Sequence, residues 1–308
     1  MLAIFAIAGC NKFNTEAPDL NLEPEPVDKA YGDVKTFSNK VFYCLIVGND
    51  SRNGTVDEGK GKHGSDGHQR SDVMMLARVD PKSHLISLIS IPRDTQSQID
   101  GEVVKINESY DRGGIKGIVA KVEEYTGVNI KYYFDVNFAE FGKLIDALGG
   151  VDVNVIAPMT FQNVISGGNI SIEAGDQHLN GEEALVFARV RKIFNSGDAT
   201  RQYNDRSIII SLVNKAITHP EELTGYIDDF MNIVHTNMSY EAMLYYATDF
   251  MDNADDVKYI SASFPWEGAD DPATGLWLTY YDPAMWKSIM DVFREGGDPN
   301  SVYTTPIG

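Results

Sequence analysis

The hydrophobic pattern along the chain switches repeatedly between two periods. Apolar runs of strand length, rich in Val, Ile and Leu, stand at 41–47, 73–79 and 85–91. The second and third are joined by Asp80-Pro81-Lys82-Ser83, whose residue types favour a tight turn, so the spacing predicts a β-hairpin. Farther on, Ile115, Ile118, Val119 and Val122 recur at helical spacing, after a break at 111–114 and before the helix-stopping Gly127. A strand is predicted at 132–136. Asn137 then caps a helix that places Phe138, Phe141, Ile145 and Leu148 on one face. Gly149-Gly150 closes it, and 151–155 alternates as a strand. The stretch 161–175 reads as loop. Asn180-Gly181-Glu182-Glu183 has capping-box form and opens a helix over 184–191, on which Arg189 and Arg191 fall on different faces. At most one of them is therefore expected at the sheet edge. A polar break at 195–200 precedes a helix over 208–217, ended by Pro220. Amphipathic segments at 221–234 and 240–251, strands at 257–264 and 276–280, and a helix running from Asp282-Pro283 to Arg294 complete the chain. Strands and helices take turns, which predicts a single α/β domain with a central, mostly mixed sheet flanked by helices.

Composition narrows the function. A length of 308 residues and 43% hydrophobic residues suffice for one sizeable core, and a formal charge of −19 argues against nucleic acid as a partner. The first nine residues are almost wholly apolar yet too short to span a bilayer, which takes about 20. With the small residues Ala8-Gly9 before Cys10 they resemble a secretion signal ending in a lipobox, although no Lys or Arg precedes them. Export and lipidation of Cys10 are the expectation: a lipoprotein on the outer face of a bacterial cell membrane. The expected layout is a signal-like segment at 1–10, an acidic tether at 11–39, the folded domain at 40–296 and a tail at 297–308. The other cysteine, Cys44, lies inside an apolar run and reads as a buried thiol. His63 and His68 flank Asp66 in a Gly-rich polar stretch that reads as a loop.

The candidate chemistry sits at the open end of the hairpin. Arg70 and Asp72 precede its first strand, and Arg93 and Asp94 follow its second; Asp50 and Arg52 repeat the same pairing after the strand at 41–47. Guanidinium forks suit phosphate oxygens, and neighbouring carboxylates suit Mg²⁺. A self-neutralising ion-pair cluster fits these residues equally well.

The ordered set of short motifs resembles the LytR-CpsA-Psr family. Its pieces are Gly48-Asn49-Asp50-Ser51-Arg52, Arg70-Ser71-Asp72, Ser90-Ile91-Pro92-Arg93-Asp94-Thr95 and Lys105-Ile106-Asn107. They continue with Leu148-Gly149-Gly150-Val151-Asp152-Val153, Leu179 to Leu185 with Arg189-Val190-Arg191, and Gly197-Asp198-Ala199-Thr200-Arg201. One departure stands out: Asn204 and Asp205 occupy positions where the family usually carries Arg-Gln. The resemblance implies a membrane-attached transferase that moves a glycosyl-phosphate polymer from a polyprenyl-diphosphate carrier to a peptidoglycan hydroxyl, with Mg²⁺ as cofactor. It further implies that Arg70, Arg93, Arg189 and Arg201 contact the diphosphate, with Arg52, Arg191 and Arg206 as further candidates. Asp50 and Asp72 would hold Mg²⁺. Asp94 either accepts the hydroxyl proton or locks Arg93 in place; Asn107 either positions the ligand or forms a turn. The polyprenyl tail needs an apolar channel, for which the helices at 115–125 and 138–148 are candidates. A polymer-binding scaffold without turnover and a hydrolytic phosphatase remain as competing readings.

Overall fold

The computed structural model describes residues 38–50 and 70–307. Cys10, Arg52, His63, Asp66 and His68, together with the segments 1–10 and 11–37, lie outside the described residues. The first strands are β1 (Phe42–Asn49), β2 (Ser71–Asp80) and β3 (Leu85–Ser90), followed by the small hairpin β4 (Gln96–Ile99) and β5 (Glu102–Lys105). Next come α1 (Glu108–Thr126), β6 (Ile130–Asn137), α2 (Phe138–Ala147), β7 (Val151–Val155), β8 (Met159–Gln162), β9 (Asn169–Ile172) and β10 (Gly175–Leu179). The remainder is α3 (Gly181–Arg189), α4 (Asp198–Thr218), α5 (Leu223–Ile233), β11 (His235–Thr236), α6 (Tyr240–Asp252), β12 (Lys258–Ser263), β13 (Gly268–Asp270), β14 (Trp277–Thr279) and α7 (Pro283–Arg294).

Six strands form the central sheet in the order β11-β6-β1-β2-β3-β12. It is mixed: β1 pairs antiparallel with β2 and parallel with β6, and β3 pairs antiparallel with β2 and parallel with β12. Helices cover both faces, which is why β1 reads as an unbroken apolar run rather than an alternating one. On one face Leu45, Val47, Met74, Leu76 and Ile89 pack against α1 and α7. There Trp286 stacks on Phe264 with ring centroids 3.8 Å apart, sealing that side. On the other face Phe42, Cys44, Met75, Ala77 and Leu88 meet α4 and α6. Cys44 is a free, buried thiol, and burial pushes its pKa far up. Among the described residues no helix is long and apolar enough to cross a membrane.

Local chemistry explains most boundaries. Asn137 and Asn180 each accept from the backbone N–H three residues on, and Glu140 and Glu183 return the bond, so both helix starts are complete capping boxes. Asp282 caps α7 ahead of Pro283. Three expectations need correction. The stretch 161–175 is loop only at 163–168 and 173–174: β8 and β9 pair as a hairpin across the first of these, and β10, which opens at Gly175, pairs with β7. Their polar, half-exposed residues hide the alternation. The break at 111–114 is a kink, since Gly114 is non-helical at φ 58°, inside a helical segment that starts at Glu108. The helix expected over 208–217 starts at Asp198, inside the expected break at 195–200, and most polar residues of this first half of α4 are buried, held by one another or by distant partners.

Candidate functional site

The site forms where the ends of β1 and β2, the turn after β3, and the starts of α2 and α4 meet. Its origin is one extra residue in β2. Gly48 pairs with Val73, but Asn49 pairs with Ser71, so Asp72 is the unpaired residue of a β-bulge. Strict alternation would send Asp72 to the same face as Met74. The bulge instead brings Asp72 and Val73 to the same cavity. Where the ladder is interrupted, the Asp72 carbonyl accepts from Arg201 Nη1 at 3.0 Å. Asp50, at the end of β1, accepts from the Arg70 backbone N–H at 2.8 Å.

The cavity has a volume of about 190 Å³. Arg93, Arg189, Arg191, Lys192 and Arg201 line it with Asp72 and Asp205, and its apolar wall includes Phe138, Phe141, Phe161, Leu185, Ala188 and Ile209. Three of the four arginines first implied for diphosphate contact therefore meet there. The fourth, Arg70, stands at the same strand end with Nε 3.2 Å from Glu108. Arg189 ends α3 with its guanidinium carbon 4.7 Å from the Phe138 ring centre, a cation–π contact. Arg191 also lines the cavity, against the expectation that at most one of the pair would. The helix stops at Arg189 and Val190 is extended, so helical spacing no longer separates the two side chains. The channel candidates divide as well: α2 lines the cavity, whereas α1 packs on the opposite face of the sheet.

Each guanidinium is held differently. Arg93 pairs with Asp72 through Nη1, while its Nε lies 3.8 Å from Asp94 as a buried donor without a hydrogen bond. Asp94 in turn lies 2.8 Å from Lys105 Nζ. The hairpin β4–β5 arranges this by returning the chain, so that the Asn107 N–H meets the Arg93 carbonyl at 3.3 Å. Asn107 is buried, and its side chain does not cap α1; its Oδ1 accepts no hydrogen bond. Arg201, buried, is gripped by Asp198 through Nε at 2.9 Å and Nη2 at 3.2 Å. Burial alone would raise the Asp198 carboxyl, but Arg201 and the Gln202 amide hold it well below the usual carboxylate range. Burial pushes Asp205 up to about 7 even with Arg201 beside it. Burial and the like charges of Arg93 and Arg201 depress Arg191. Crowded cations of this kind are relieved by an anion.

Arg206 does not reach the cavity. One residue past Asp205 the helix has turned by about 100°, and Arg206 donates to the hydroxyls of Ser261 and Ser90, each at 2.7 Å. Asn204 likewise points inward, donating to the Phe187 carbonyl at 3.0 Å. Lys105, Lys192 and Asp198 join the site beyond the candidates that the sequence marks, and Asp205, marked there only as a departure from the motif, lines the cavity. Lys105 and Asp198 belong to motifs that could have flagged them; nothing in the sequence marks Lys192 or the burial of Asp205.

Asp50 and Asp72 offer hard carboxylate oxygens at adjacent strand ends, beside guanidinium groups that would gather phosphate oxygens. Asp50 accepts from the Arg70 N–H, Asp72 pairs with Arg93, and among the described residues no group of three or more His, Cys, Asp or Glu is gathered for a metal, so the fit is only to a Mg²⁺ ion held by one or two carboxylates with phosphate and water supplying the remaining oxygens.

Comparison with known proteins gives a consistent result. The model of the LytR_cpsA_psr family matches residues 12–283. A polyisoprenyl-teichoic acid–peptidoglycan teichoic acid transferase TagU of Bacillus cereus is 31% identical over 281 residues, covering 89% of this chain and 84% of the relative. The protein of the same name from Bacillus anthracis is 33% identical over 269 residues, covering 84% of this chain and 80% of the relative. Among solved structures, B. subtilis TagV superposes with a TM-score of 0.71 at 24% identity, covering 88% of this chain and all of the other, which establishes the fold.

Proposed function

Because the chain belongs to the LytR_cpsA_psr family, we propose that it transfers a teichoic-acid-like glycopolymer from a polyprenyl-diphosphate carrier to a hydroxyl of peptidoglycan. The observation that carries this reading is the amphipathic cavity, with cations gathered at Asp72 and an apolar wall beside them. In the reaction the acceptor hydroxyl attacks the phosphorus that carries the glycosyl group. A new P–O bond forms, the bridging P–O bond breaks, and polyprenyl phosphate leaves with the electron pair. Such transfer depends on alignment and on neutralising the charge of the departing phosphate. Arg93, Arg189, Arg191 and Arg201 do both, and Arg70 flanks them. Asp94, held between Arg93 and Lys105, orients Arg93 and is the candidate acceptor of the hydroxyl proton. The apolar wall from α2 and α3 takes the first prenyl units of the carrier. Asp50 and Asp72 would hold Mg²⁺, which neutralises phosphate charge when bound. The protein works at the outer face of the cell membrane, anchored through a lipid on Cys10.

The test is purified protein with Mg²⁺, a lipid-linked donor and a glycan acceptor. Acceptor-dependent release of polyprenyl phosphate supports the transferase; release without acceptor indicates a phosphatase. One observation favours a second reading, a binding scaffold: Asp205 occupies a donor of Arg201. Tight lipid binding without release supports that reading.

A further inference from the structure

Arginine carries five N–H donors, and the protein itself engages most of those on Arg201. Nε and Nη2 donate to Asp198 at 2.9 and 3.2 Å. Nη1 donates to the Asp72 carbonyl at 3.0 Å and to Asp205 Oδ2 at 3.4 Å. The bond to Asp205 is the longest of the four, and Asp205 and Arg201 line the cavity together. A phosphate placed against Arg201 competes with Asp205 for Nη1. It also adds negative charge beside a buried carboxylate, which is costly unless that carboxylate gains a proton.

We propose that Asp205 is a positioning residue that holds the phosphate's place on Arg201 in the free protein and takes up one proton from solvent when the diphosphate binds, changing from acceptor to hydrogen-bond donor. This rests on the diphosphate reading above. The groups around Asp205 set the balance. On α4 these are Asp198, Arg201 and Arg206, and from β2 it is Asp72. The cavity lining adds Arg93, Arg189, Arg191 and Lys192, and no histidine is among the lining residues. Burial has already brought Asp205 to about 7, so a modest further rise on binding protonates it near neutrality.

The sign follows from linkage. Above the free-state value the unliganded carboxyl is charged and the liganded one is protonated, so affinity weakens as pH rises. Below it both states are protonated and affinity is flat. The probe is a short-chain prenyl diphospho-N-acetylglucosamine, a diphosphate diester with no ionisation of its own near neutrality. Calorimetry in two buffers of different ionisation enthalpy is expected to show net proton uptake, at most one per site, at pH values just above about 7, with Kd rising by up to roughly tenfold per pH unit in that range. Asp205→Asn is expected to bind with no uptake and no pH dependence, and Asp205→Glu to restore both. Zero uptake by the wild-type protein, which needs no variant to fold, overturns the proposal, as does an unchanged pH slope in Asp205→Asn. Failure of the wild type to bind the probe at any pH overturns the diphosphate reading and this inference with it, whereas pH-independent binding overturns this inference alone.

Discussion

Replacing Arg93 by Ala separates catalysis from folding. The side chain is 24% exposed and contributes two ion contacts, to Asp72 and, at 3.8 Å, to Asp94. Asp94 keeps Lys105 at 2.8 Å after the change, and Asp72 is itself 24% exposed, so neither carboxylate is stranded in the interior. Partly exposed pairs contribute at most about 1 kcal/mol each, so the folding free energy should fall by roughly 1–2 kcal/mol. The barrier is another matter. Loss of one fixed donor facing charge that develops in the transition state costs about 3–4 kcal/mol, a drop of 10²–10³ in kcat. Arg93→Lys restores the charge without the planar fork and should recover only part of it. Release of polyprenyl phosphate under donor saturation measures the rate, and urea titration measures the stability. Turnover of Arg93→Ala within about threefold of wild type, per folded molecule, would refute the role assigned to this guanidinium. The contrast is Arg201→Ala: that side chain is only 7% exposed, and although Asp198 keeps Gln202 and Arg191, the 6% exposed Asp205 is stranded, at about 3–5 kcal/mol of stability.

Other outcomes follow from the same geometry. Gly181→Ala puts a methyl 2.1 Å from the Gly142 carbonyl; prying α2 from α3 should cost at least about 1–3 kcal/mol, read by thermal unfolding, and should loosen diphosphate binding because α3 ends at Arg189. Two carboxylates give opposite pH signatures. Asp198 is depressed in the folded state, so its contribution is present above the unfolded carboxylate value of about 3.9 and is lost as pH falls below it; Asp198→Asn should flatten the stability profile in that acidic range. Asp205 is raised to about 7, so the folded state loses stability between about 4 and that value as pH climbs; the difference in unfolding free energy between Asp205→Asn and wild type should change across that window and level off above it. Chelation by EDTA should stop turnover and added Mg²⁺ should restore it, with Asp72→Asn needing more of the ion; undiminished turnover in EDTA would remove the metal from the scheme.

How far the sequence carried differs between scaffold and site. The hairpin of β2 and β3, the two Asn-capped helices and the final Pro-started helix were all legible, because each rests on local chemistry that no distant contact overrides. The lesser hairpins escaped: residues such as Asn169 and Ser171 pair on a half-exposed surface where no hydrophobic rhythm is needed. The first half of α4 escaped for the opposite reason. Arg201, Gln202, Asn204, Asp205 and Arg206 look solvated in sequence and are buried in the fold, each held by a partner far along the chain or one turn away. The gathering of Arg93, Arg189 and Arg201 was suggested by the motifs. That Arg191 joins them depended on where α3 ends, and that Arg206 does not depended on a single step around a helix.

The extra residue in β2 makes that segment a matter of phase. Substitutions at Ser71 or Val73 alter shape or polarity and leave the count intact. Removal of Ser71 would erase the offset, pair Asp72 with Asn49, rotate the acid to the sealed side of the sheet and leave the guanidinium of Arg201 without its main-chain acceptor. Length, more than identity, is therefore the quantity this short stretch must conserve, and a one-residue deletion there should abolish activity where most point changes only reduce it.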